Sequence, residues 1–159
     1  MTKAVILGLT NSGKSTTSAL LKEMGWPVVE VDDIAQEKNN GVWPESEAVL
    51  DVLFQEANDE VIKLDDVIYV TSFLDRSDVE RFYNAGFKII ELHATYEELR
   101  RRRISRDGEP TDNWERFDRN YNYYQKLVPD ISKYFSLSVD TTNVDSKELA
   151  SLLDKELRR

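Results

Sequence analysis

The 159-residue chain has no cysteine, a single histidine and no long apolar run. Without cysteine it can form neither a disulfide nor a thiolate metal site, and we expect it in a reducing, cytoplasmic compartment. No apolar run approaches the roughly 20 residues of a membrane-spanning helix, so we expect no membrane partner. Strand-like residues begin at position 4, and we therefore expect no signal peptide. The one histidine, His93, follows an apolar run, where a structural role is favoured over catalysis.

Acidic residues outnumber basic ones by 30 to 21, and the formal net charge is −9. This charge disfavours tight, sequence-independent binding of nucleic acid, which depends on neutralising phosphates. Arginine is absent before Arg76 and concentrates between Arg100 and Arg119, whereas carboxylates dominate positions 45–80. An acidic protein can still contain a local anion site, so the arginine-rich segment stays a candidate for one.

Positions 8–15 match the phosphate-binding loop pattern G-x-x-x-x-G-K-[ST] at every fixed position. Glycine lets such a loop curl so that several N–H groups point at a phosphate, and the following helix adds the positive end of its dipole. Lys14 would reach the β- and γ-phosphates, and the Ser15 hydroxyl would ligate Mg²⁺. We therefore predict that the chain binds ATP and Mg²⁺. The predicted ATP-binding residues of the loop are Gly8, Asn11, Ser12, Gly13, Lys14, Ser15 and Thr16.

Apolar runs typical of buried strands alternate with helical patterns along the chain. The strands are predicted at positions 4–7, 28–31, 67–70, 87–92 and 137–139. This alternation predicts one α/β domain over residues 1–159, a three-layer P-loop NTPase fold with a five-stranded parallel sheet and helices on both faces. Ligands bind at the carboxyl ends of the strands in such folds. Asn143 follows the last strand and is expected to contact the adenine edge of the nucleotide.

Helical spacing of apolar residues predicts which helix faces are buried. A helix-poor segment is expected at 36–43, after which Pro44 would start a helix. The buried face of that helix is predicted to be Val49, Leu53, Ala57, Val61 and Leu64. The stripe of a later helix is predicted to be Phe117, Tyr121, Tyr124, Val128, Ile131 and Phe135.

A phosphate-binding loop alone does not define a reaction. The guanine-reading Asn-Lys-x-Asp sequence and the Asp-x-x-Gly switch are absent, and the chain is too short for a motor or transporter ATPase. Asp32 instead ends the second predicted strand, where an acceptor would approach the γ-phosphate. An alcohol that attacks in line needs such a carboxylate, although an aspartate there can also cap the next helix.

Nearly the whole chain resembles a small P-loop kinase of the nucleoside and nucleotide kinase group. Positions 8–16 followed by 31–35 are similar to dephospho-coenzyme A kinase. The Asp32–Asp33 pair, positions 67–74 and positions 98–106 resemble the kinase domain of phage polynucleotide kinase. Both families phosphorylate a sugar hydroxyl. The resemblance therefore implies an ATP- and Mg²⁺-dependent kinase that acts on a nucleoside- or nucleotide-like acceptor, preferably at a hydroxyl.

The resemblance also implies roles for individual residues. Asp32 would accept or orient the hydroxyl proton, with Asp33 capping the next helix beside the acceptor. Arg102 and Arg106, four residues apart on one helix face, would be the arginines that stabilise charge on the transferring phosphoryl group. With Lys14 they complete the implied catalytic set, and a short lid is expected at about 106–114.

The acceptor would bind to the segment at about 36–64, where Trp43 can stack on a base. Thr71 and Ser72 stand where many nucleotide kinases have an aspartate, so Mg²⁺ would be held by Ser15 and the nucleotide. Monophosphate kinases clamp the acceptor phosphate with arginine, and only Arg76 is placed to do so. This shortage of arginine favours a hydroxyl acceptor over a phosphate acceptor.

Three alternatives stay open. The first is a nucleoside monophosphate kinase, and the second is a kinase that acts on a hydroxyl within DNA or RNA. The third is a non-catalytic, nucleotide-binding regulatory protein, which the missing aspartate of the third strand would fit. A small nucleotide-like molecule is the preferred partner, and a nucleic-acid substrate is possible.

Overall fold

The computed structural model describes residues 1–72 and 74–159, so Phe73, in the segment compared with polynucleotide kinase, lies outside the described residues. The strands are β1 Lys3–Leu7, β2 Val28–Glu30, β3 Val67–Thr71, β4 Lys88–His93 and β5 Phe135–Asp140. The α-helices are α1 Lys14–Glu23, α2 Val31–Lys38, α3 Glu47–Val61, α4 Arg76–Asn84, α5 Tyr96–Asp107, α6 Glu115–Ile131 and α7 Ser146–Arg158. No helix in these two ranges has the length and apolarity needed to cross a membrane.

All five strands run parallel in one sheet, in the order β2-β3-β1-β4-β5. β1 lies at the centre, where Leu7 is in register with Thr71 on one side and Glu91 on the other. The predicted five-stranded parallel sheet is therefore confirmed. Because the carboxyl ends of the three central strands meet at one edge, a ligand site is expected there.

Alternate side chains of the strands build two separate cores. On β1, Val5 and Leu7 pack with buried residues of α2, α3, α4 and α6, whereas Ala4 and Ile6 pack with those of α1 and α7. Helices thus cover both faces, as predicted, and this explains why the central strands are apolar at consecutive positions. The two cores hold β1 and α1 in place and so fix the loop that joins them.

The structure corrects the prediction for the segment after β2. Helix α2 continues to Lys38, so the predicted helix-poor segment 36–43 is wrong for its first residues. Asp32 and Asp33 lie in the first turn of this helix, where the helix dipole stabilises carboxylates. Glu30 occupies the cap position without a side-chain capping bond, so the prediction that Asp33 caps this helix is also wrong.

Helix α3 buries a different stripe from the predicted one. Its buried apolar residues are Leu50, Phe54, Ala57 and Val61. Val49 is 45% exposed, and Leu64 lies beyond the end of the helix. The predicted and observed stripes share Ala57 and Val61. Before Ala57 they diverge, because a residue three positions earlier and one four positions earlier both lie on the same helix face. The helix begins at Glu47 instead of Pro44, because the Ser46 hydroxyl accepts a hydrogen bond from the Val49 backbone and caps it.

The prediction for α6 is closer to the structure. Tyr124 and Ile131 are buried as predicted, Leu127 is a further buried residue, and Phe135 belongs to β5 instead of the helix. The first turn of α6 carries Arg116. This helix therefore connects the core under the sheet to the edge at which ligands are expected.

Candidate active site

The loop between β1 and α1 turns through two residues with left-handed backbone, Asn11 with φ 72° and Gly13 with φ 106°. Among the described residues, the backbone N–H groups of Lys14, Ser15 and Thr16 donate to no acceptor. Unpaired N–H groups at a helix start, together with the positive end of the helix dipole, form an anion site. The loop therefore fits a bound phosphate group.

Gly8 is required by a close approach of the loop to β4. A Cβ atom at this position would lie 2.5 Å from the Leu92 carbonyl oxygen and 2.6 Å from the Ser12 Oγ. Ser12 is itself fully buried, beneath the loop surface. Packing against the sheet thus dictates the first glycine of the motif, whereas the left-handed backbone dictates the second, Gly13.

Lys14 is buried, and its Nζ donates hydrogen bonds to the carbonyl oxygens of Gly8 and Leu9, both at 2.7 Å. Burial lowers the pKa of this amine to about 7, while the carboxylates of Asp32 and Glu30 act in the opposite direction. The oxygens of a bound phosphate would place negative charge beside this amine and so favour its protonated form. Lys14 is therefore placed to bind a triphosphate and to become fully protonated when it does.

A cavity of about 550 Å³ opens above the loop, and we call it the phosphate cavity. The predicted site residues in its lining are Asn11, Gly13, Lys14, Ser15, Thr16, Asp32, Arg102 and Arg106. Asp32 is exposed to the open space, but the surrounding protein removes enough water to raise the pKa of its carboxyl, and Lys14 opposes this. The structure thus brings the predicted phosphate-binding lysine and the predicted base into one cavity.

Glu30 also lines the phosphate cavity, and sequence reasoning missed it. Burial raises the pKa of this carboxyl and the neighbouring charge of Asp33 adds to the effect, whereas Lys22 and the nearby Ser15 side chain lower the pKa. Ser15 and Glu30 together offer the oxygen donors that Mg²⁺ prefers. The described residues contain no group of three or more histidine, cysteine or acidic side chains that could hold a metal. The site thus fits an ion that takes its other ligands from phosphate and water.

Arg102 ties the phosphate loop to the segment after β5. Its guanidinium donates to the Asn11 carbonyl oxygen at 3.0 Å, the Thr141 carbonyl oxygen at 2.6 Å and the Thr141 Oγ1 at 3.1 Å. Its Nε donates to Glu98 at 3.2 Å. Arg106 is more exposed and pairs with Asp107 at 2.8 Å. Both predicted arginines therefore line the cavity, but most donors of Arg102 already have protein acceptors.

A second cavity, of about 480 Å³, adjoins the first and shares residues with it: Thr10, Asn11, Asp32, Ser72 and Arg106. We call it the arginine cavity, because Arg103, Arg106 and Arg116 line it. Trp43, which was predicted to contact the acceptor, also lines it and is 45% exposed. Sequence reasoning did not assign Arg103 or Arg116 to this site.

Three predicted contacts lie outside the lining of both cavities. Arg76 pairs with Glu80 at 3.1 Å on the exposed side of α4. Asp33 is exposed on α2, and Asn143 is exposed in the loop before α7. Of the four predicted acceptor contacts, Asp32 and Trp43 therefore line the arginine cavity, whereas Asp33 and Arg76 do not.

The predicted lid segment contributes residues to the lining of the arginine cavity. Helix α5 ends at Asp107, and Pro110, Thr111 and Asp112 line that cavity. The far end of the segment is anchored by Trp114, which is buried and stacks on the Arg100 guanidinium at 4.1 Å. The segment therefore forms part of the cavity wall between the end of α5 and the anchored Trp114.

Comparison with solved structures identifies the fold. The shikimate kinase from Aquifex aeolicus superposes with a TM-score of 0.76 and 19% identity, over 98% of this chain and 96% of that one. A gluconokinase from Sinorhizobium meliloti gives a TM-score of 0.65 and 17% identity, over 99% and 92% of the two chains. The YorR protein from Bacillus subtilis, in complex with phosphorylated GDP, gives 0.64 and 20% identity, over 98% and 96%.

This is the fold of the small P-loop kinases. The three-layer P-loop NTPase fold predicted from the sequence is thereby confirmed. No protein-family model matches the chain, and no curated protein is similar to it in sequence. The finer resemblance to dephospho-coenzyme A kinase and polynucleotide kinase stays a prediction.

Proposed function

We propose that this protein is an ATP- and Mg²⁺-dependent kinase that transfers the γ-phosphate to a hydroxyl of a small, nucleotide-like acceptor. One observation carries the proposal: Lys14 and Asp32 line one cavity above a phosphate-binding loop, and a second cavity opens beside Asp32. That second cavity is large enough for a small acceptor. Solved structures of the same fold are named shikimate kinase and gluconokinase, which supports a small-molecule acceptor.

The position of each residue in the two cavities suggests its role. The loop N–H groups and Lys14 would hold the phosphates, and Ser15 and Glu30 would hold Mg²⁺. Mg²⁺ would supply positive charge that offsets the negative charge of the phosphates during transfer. Asp32 would accept the hydroxyl proton as the acceptor oxygen bonds to the γ-phosphorus. The bond from that phosphorus to its bridging oxygen breaks, and ADP leaves.

The two arginines would act differently. Arg106 lies at the junction of the two cavities, and its pair with Asp107 is exposed and weak, so its guanidinium would be able to stabilise charge on the transferring group. Arg102 holds the backbone of Asn11 and Thr141, so it would act chiefly by keeping the loop in its binding shape. Asn143 would contact the adenine edge from the loop before α7, as the sequence predicts.

The decisive experiment measures transfer of labelled γ-phosphate from ATP to a panel of acceptors. The panel contains nucleosides, deoxynucleoside monophosphates, dephospho-coenzyme A, shikimate, gluconate and single-stranded DNA. Asp32→Asn should lower the rate by about two to four orders of magnitude because it removes the base. Asp33→Asn is the matched control, since this residue lies in the same helix turn but outside both cavities. Equal rates for the wild type and Asp32→Asn would refute the role of Asp32.

A nucleoside monophosphate kinase is the second candidate, and the arginines of the second cavity favour it. A phosphate acceptor needs no base, so Asp32→Asn would then leave most of the turnover intact, while labelled diphosphate would be the product. Label recovered in DNA would indicate the nucleic-acid alternative. Tight ATP binding with no labelled product from any acceptor would indicate the non-catalytic alternative.

A further inference from the structure

A third cavity, of about 420 Å³, is lined by residues of α3, α4 and α6 and has no part in the proposed phosphate transfer. We call it the acidic cavity, because the carboxylates of Asp51, Asp75 and Asp78 line it. None of the described residues in its lining is a lysine, an arginine or a histidine. An anionic ligand would therefore be repelled there, whereas a cation would be attracted.

Two of the three carboxylates contact each other's backbone. Asp75 Oδ1 accepts a hydrogen bond from the Asp78 N–H at 2.8 Å, and Asp78 Oδ2 accepts one from the Asp75 N–H at 3.2 Å, which caps α4. The Arg81 guanidinium lies 3.8 Å from Asp78 but pairs more closely with Asp59, at 3.0 Å. Burial raises the pKa of the Asp78 carboxyl. A cation in the cavity would therefore stabilise its charged form.

The third carboxylate, Asp51, has no partner of its own. It is exposed on α3, and within residues 1–72 and 74–159 its side chain takes part in no hydrogen bond or ion pair. The arginines at the start of α6, Arg116 and Arg119, pair instead with Glu47, one helix turn before Asp51. The charge of Asp51 is therefore available to a ligand in the cavity.

A buried amide provides evidence that does not depend on these charges. Asn58 lines the acidic cavity and is 3% exposed. Its Oδ1 accepts a hydrogen bond from the Tyr69 hydroxyl at 2.7 Å, which fixes the amide, whereas its Nδ2 donates to no acceptor in the part of the chain that the structure describes. A donor in a buried side chain costs free energy until a partner satisfies it. A ligand with an oxygen acceptor would supply that partner.

The rest of the cavity wall suits the carbon skeleton of an organic molecule. The apolar and aromatic lining residues are Leu9, Phe54, Leu74, Tyr123, Tyr124 and Leu127. Aromatic rings also attract cations. Since the described residues contain no acidic cluster with the geometry to hold a metal ion, the carboxylates suit an organic cation.

We propose that the acidic cavity binds a small organic cation, a protonated amine that also carries hydroxyl groups. Asp51, Asp75 and Asp78 would attract the ammonium group, and Asn58 would donate to a hydroxyl oxygen. The acidic and arginine cavities share Phe54 and Ser72, so the amine can belong to the far end of the phosphoryl acceptor or to a separate small molecule. Binding of the amine does not require phosphate transfer.

Calorimetric titration of the full chain at pH 7 tests the proposal with two matched pairs of probes. Each pair compares an amine with an alcohol of the same skeleton: 1-amino-1-deoxyglucitol against glucitol, and 4-aminobutan-1-ol against butane-1,4-diol. We expect at least one amine to bind about tenfold or more tightly than its alcohol, because its ammonium group makes charge-assisted hydrogen bonds.

Three variants connect this preference to the cavity. Asp51→Asn and Asp78→Asn should each abolish most of the preference, and the new amide of Asp78→Asn keeps an oxygen for the Asp75 backbone N–H. Glu56→Gln is the matched control. It removes the same charge from the same helix as Asp51→Asn, but Glu56 pairs with Lys38 at 3.7 Å and lies outside the cavity lining. MgADP affinity near that of the wild type would show that each variant is folded.

Equal affinity for amines and alcohols would overturn the proposal, as would a preference that survives both aspartate substitutions or falls equally in Glu56→Gln. The labelled-phosphate assay then distinguishes the two sources of the amine. Label on the bound amine would place it in the acceptor, whereas label only on another acceptor would make it a separate ligand. Absence of any labelled product while the amine preference persists would refute phosphate transfer alone.

Discussion

Lys14 is the residue whose protonation should depend on the ligand. Burial lowers its pKa to about 7 in the free protein, so above pH 7 the amine is increasingly neutral. Bound phosphates favour the charged form, so binding must take up a proton in that pH range. We predict that ATP affinity falls as the pH rises from 7 to 9, by up to about tenfold per pH unit.

Calorimetry at pH 8 in buffers of different ionisation enthalpy measures this uptake directly. About one proton should be taken up per ATP bound. Lys14→Arg keeps its charge throughout this range and should show no uptake. Lys63→Gln, whose side chain lies outside the phosphate cavity, should behave like the wild type. ATP binding to the wild type without proton uptake would contradict the lowered pKa.

Gly8 gives a second prediction, based on packing. An alanine Cβ would lie 2.5 Å from the Leu92 carbonyl oxygen, which belongs to the sheet and cannot move freely. Gly8→Ala should therefore lower the free energy of unfolding by about 1–3 kcal/mol and weaken ATP binding. Urea unfolding and ATP titration measure the two effects. Gly25→Ala is the control, since its Cβ meets no atom within 4 Å and its strained backbone should affect stability alone.

Among the elements, the loop after β5 holds the phosphate loop in place through Thr141. This residue is fully buried, and its Oγ1 donates to the Ser12 carbonyl oxygen at 2.7 Å and accepts from Arg102 at 3.1 Å. Thr141→Val keeps the shape but removes both bonds. We expect it to lower the free energy of unfolding by about 1–3 kcal/mol and to weaken ATP binding.

Thr141→Ser separates the hydrogen bonds from the packing of the methyl group. It keeps the hydroxyl, so it should retain ATP affinity near that of the wild type in the same titration. If Thr141→Val bound ATP as tightly as Thr141→Ser, the connection between this loop and the phosphate loop would have no functional role.

Contacts between secondary-structure elements also explain which parts of the site the sequence could predict and which it could not. The phosphate loop was recognisable because its parts are contiguous and each position has a local backbone or phosphate-binding reason. Arg103 and Arg116 line one cavity although they belong to different helices, α5 and α6, and no local sequence pattern encodes where two helices meet. The sequence feature that comes nearest to indicating this cavity is the concentration of arginine between Arg100 and Arg119.

Glu30 and α3 were missed for a different reason. Glu30 is a carboxylate at the end of β2, two residues before Asp32, which is a signal for a metal ligand, but it was predicted only as part of a strand. In α3, steps of three and four residues fit equally well on one helix face, and only packing against the sheet selects Leu50 and Phe54. Tertiary contacts therefore determine both the position of Glu30 in the site and the buried face of α3.

At the scale of the whole molecule, two carboxyls of the site lie where the folded protein is more stable when they are neutral than when they are ionised. Desolvation raises the pKa values of Asp32 and Glu30 in the folded protein. A raised folded-state pKa contributes stability that is fully present below the unfolded pKa and is lost as pH rises through the folded value. At neutral pH the ionised site therefore destabilises this acidic protein, as expected where function requires charge.

Asp32→Asn should consequently make the protein more stable at pH 7 while abolishing transfer to a hydroxyl. The gain in the urea midpoint should shrink as the pH falls and vanish below the ordinary carboxyl value of 3.8, because Asp32 is then protonated in both states. Asp33→Asn should show a smaller gain, since Asp33 is exposed and lies outside both cavities, where water solvates its charge. Urea unfolding of the three proteins between pH 3 and pH 7 measures this. A stability gain that persists at the lowest pH would mean that the asparagine acts through a new contact and not through the removed charge.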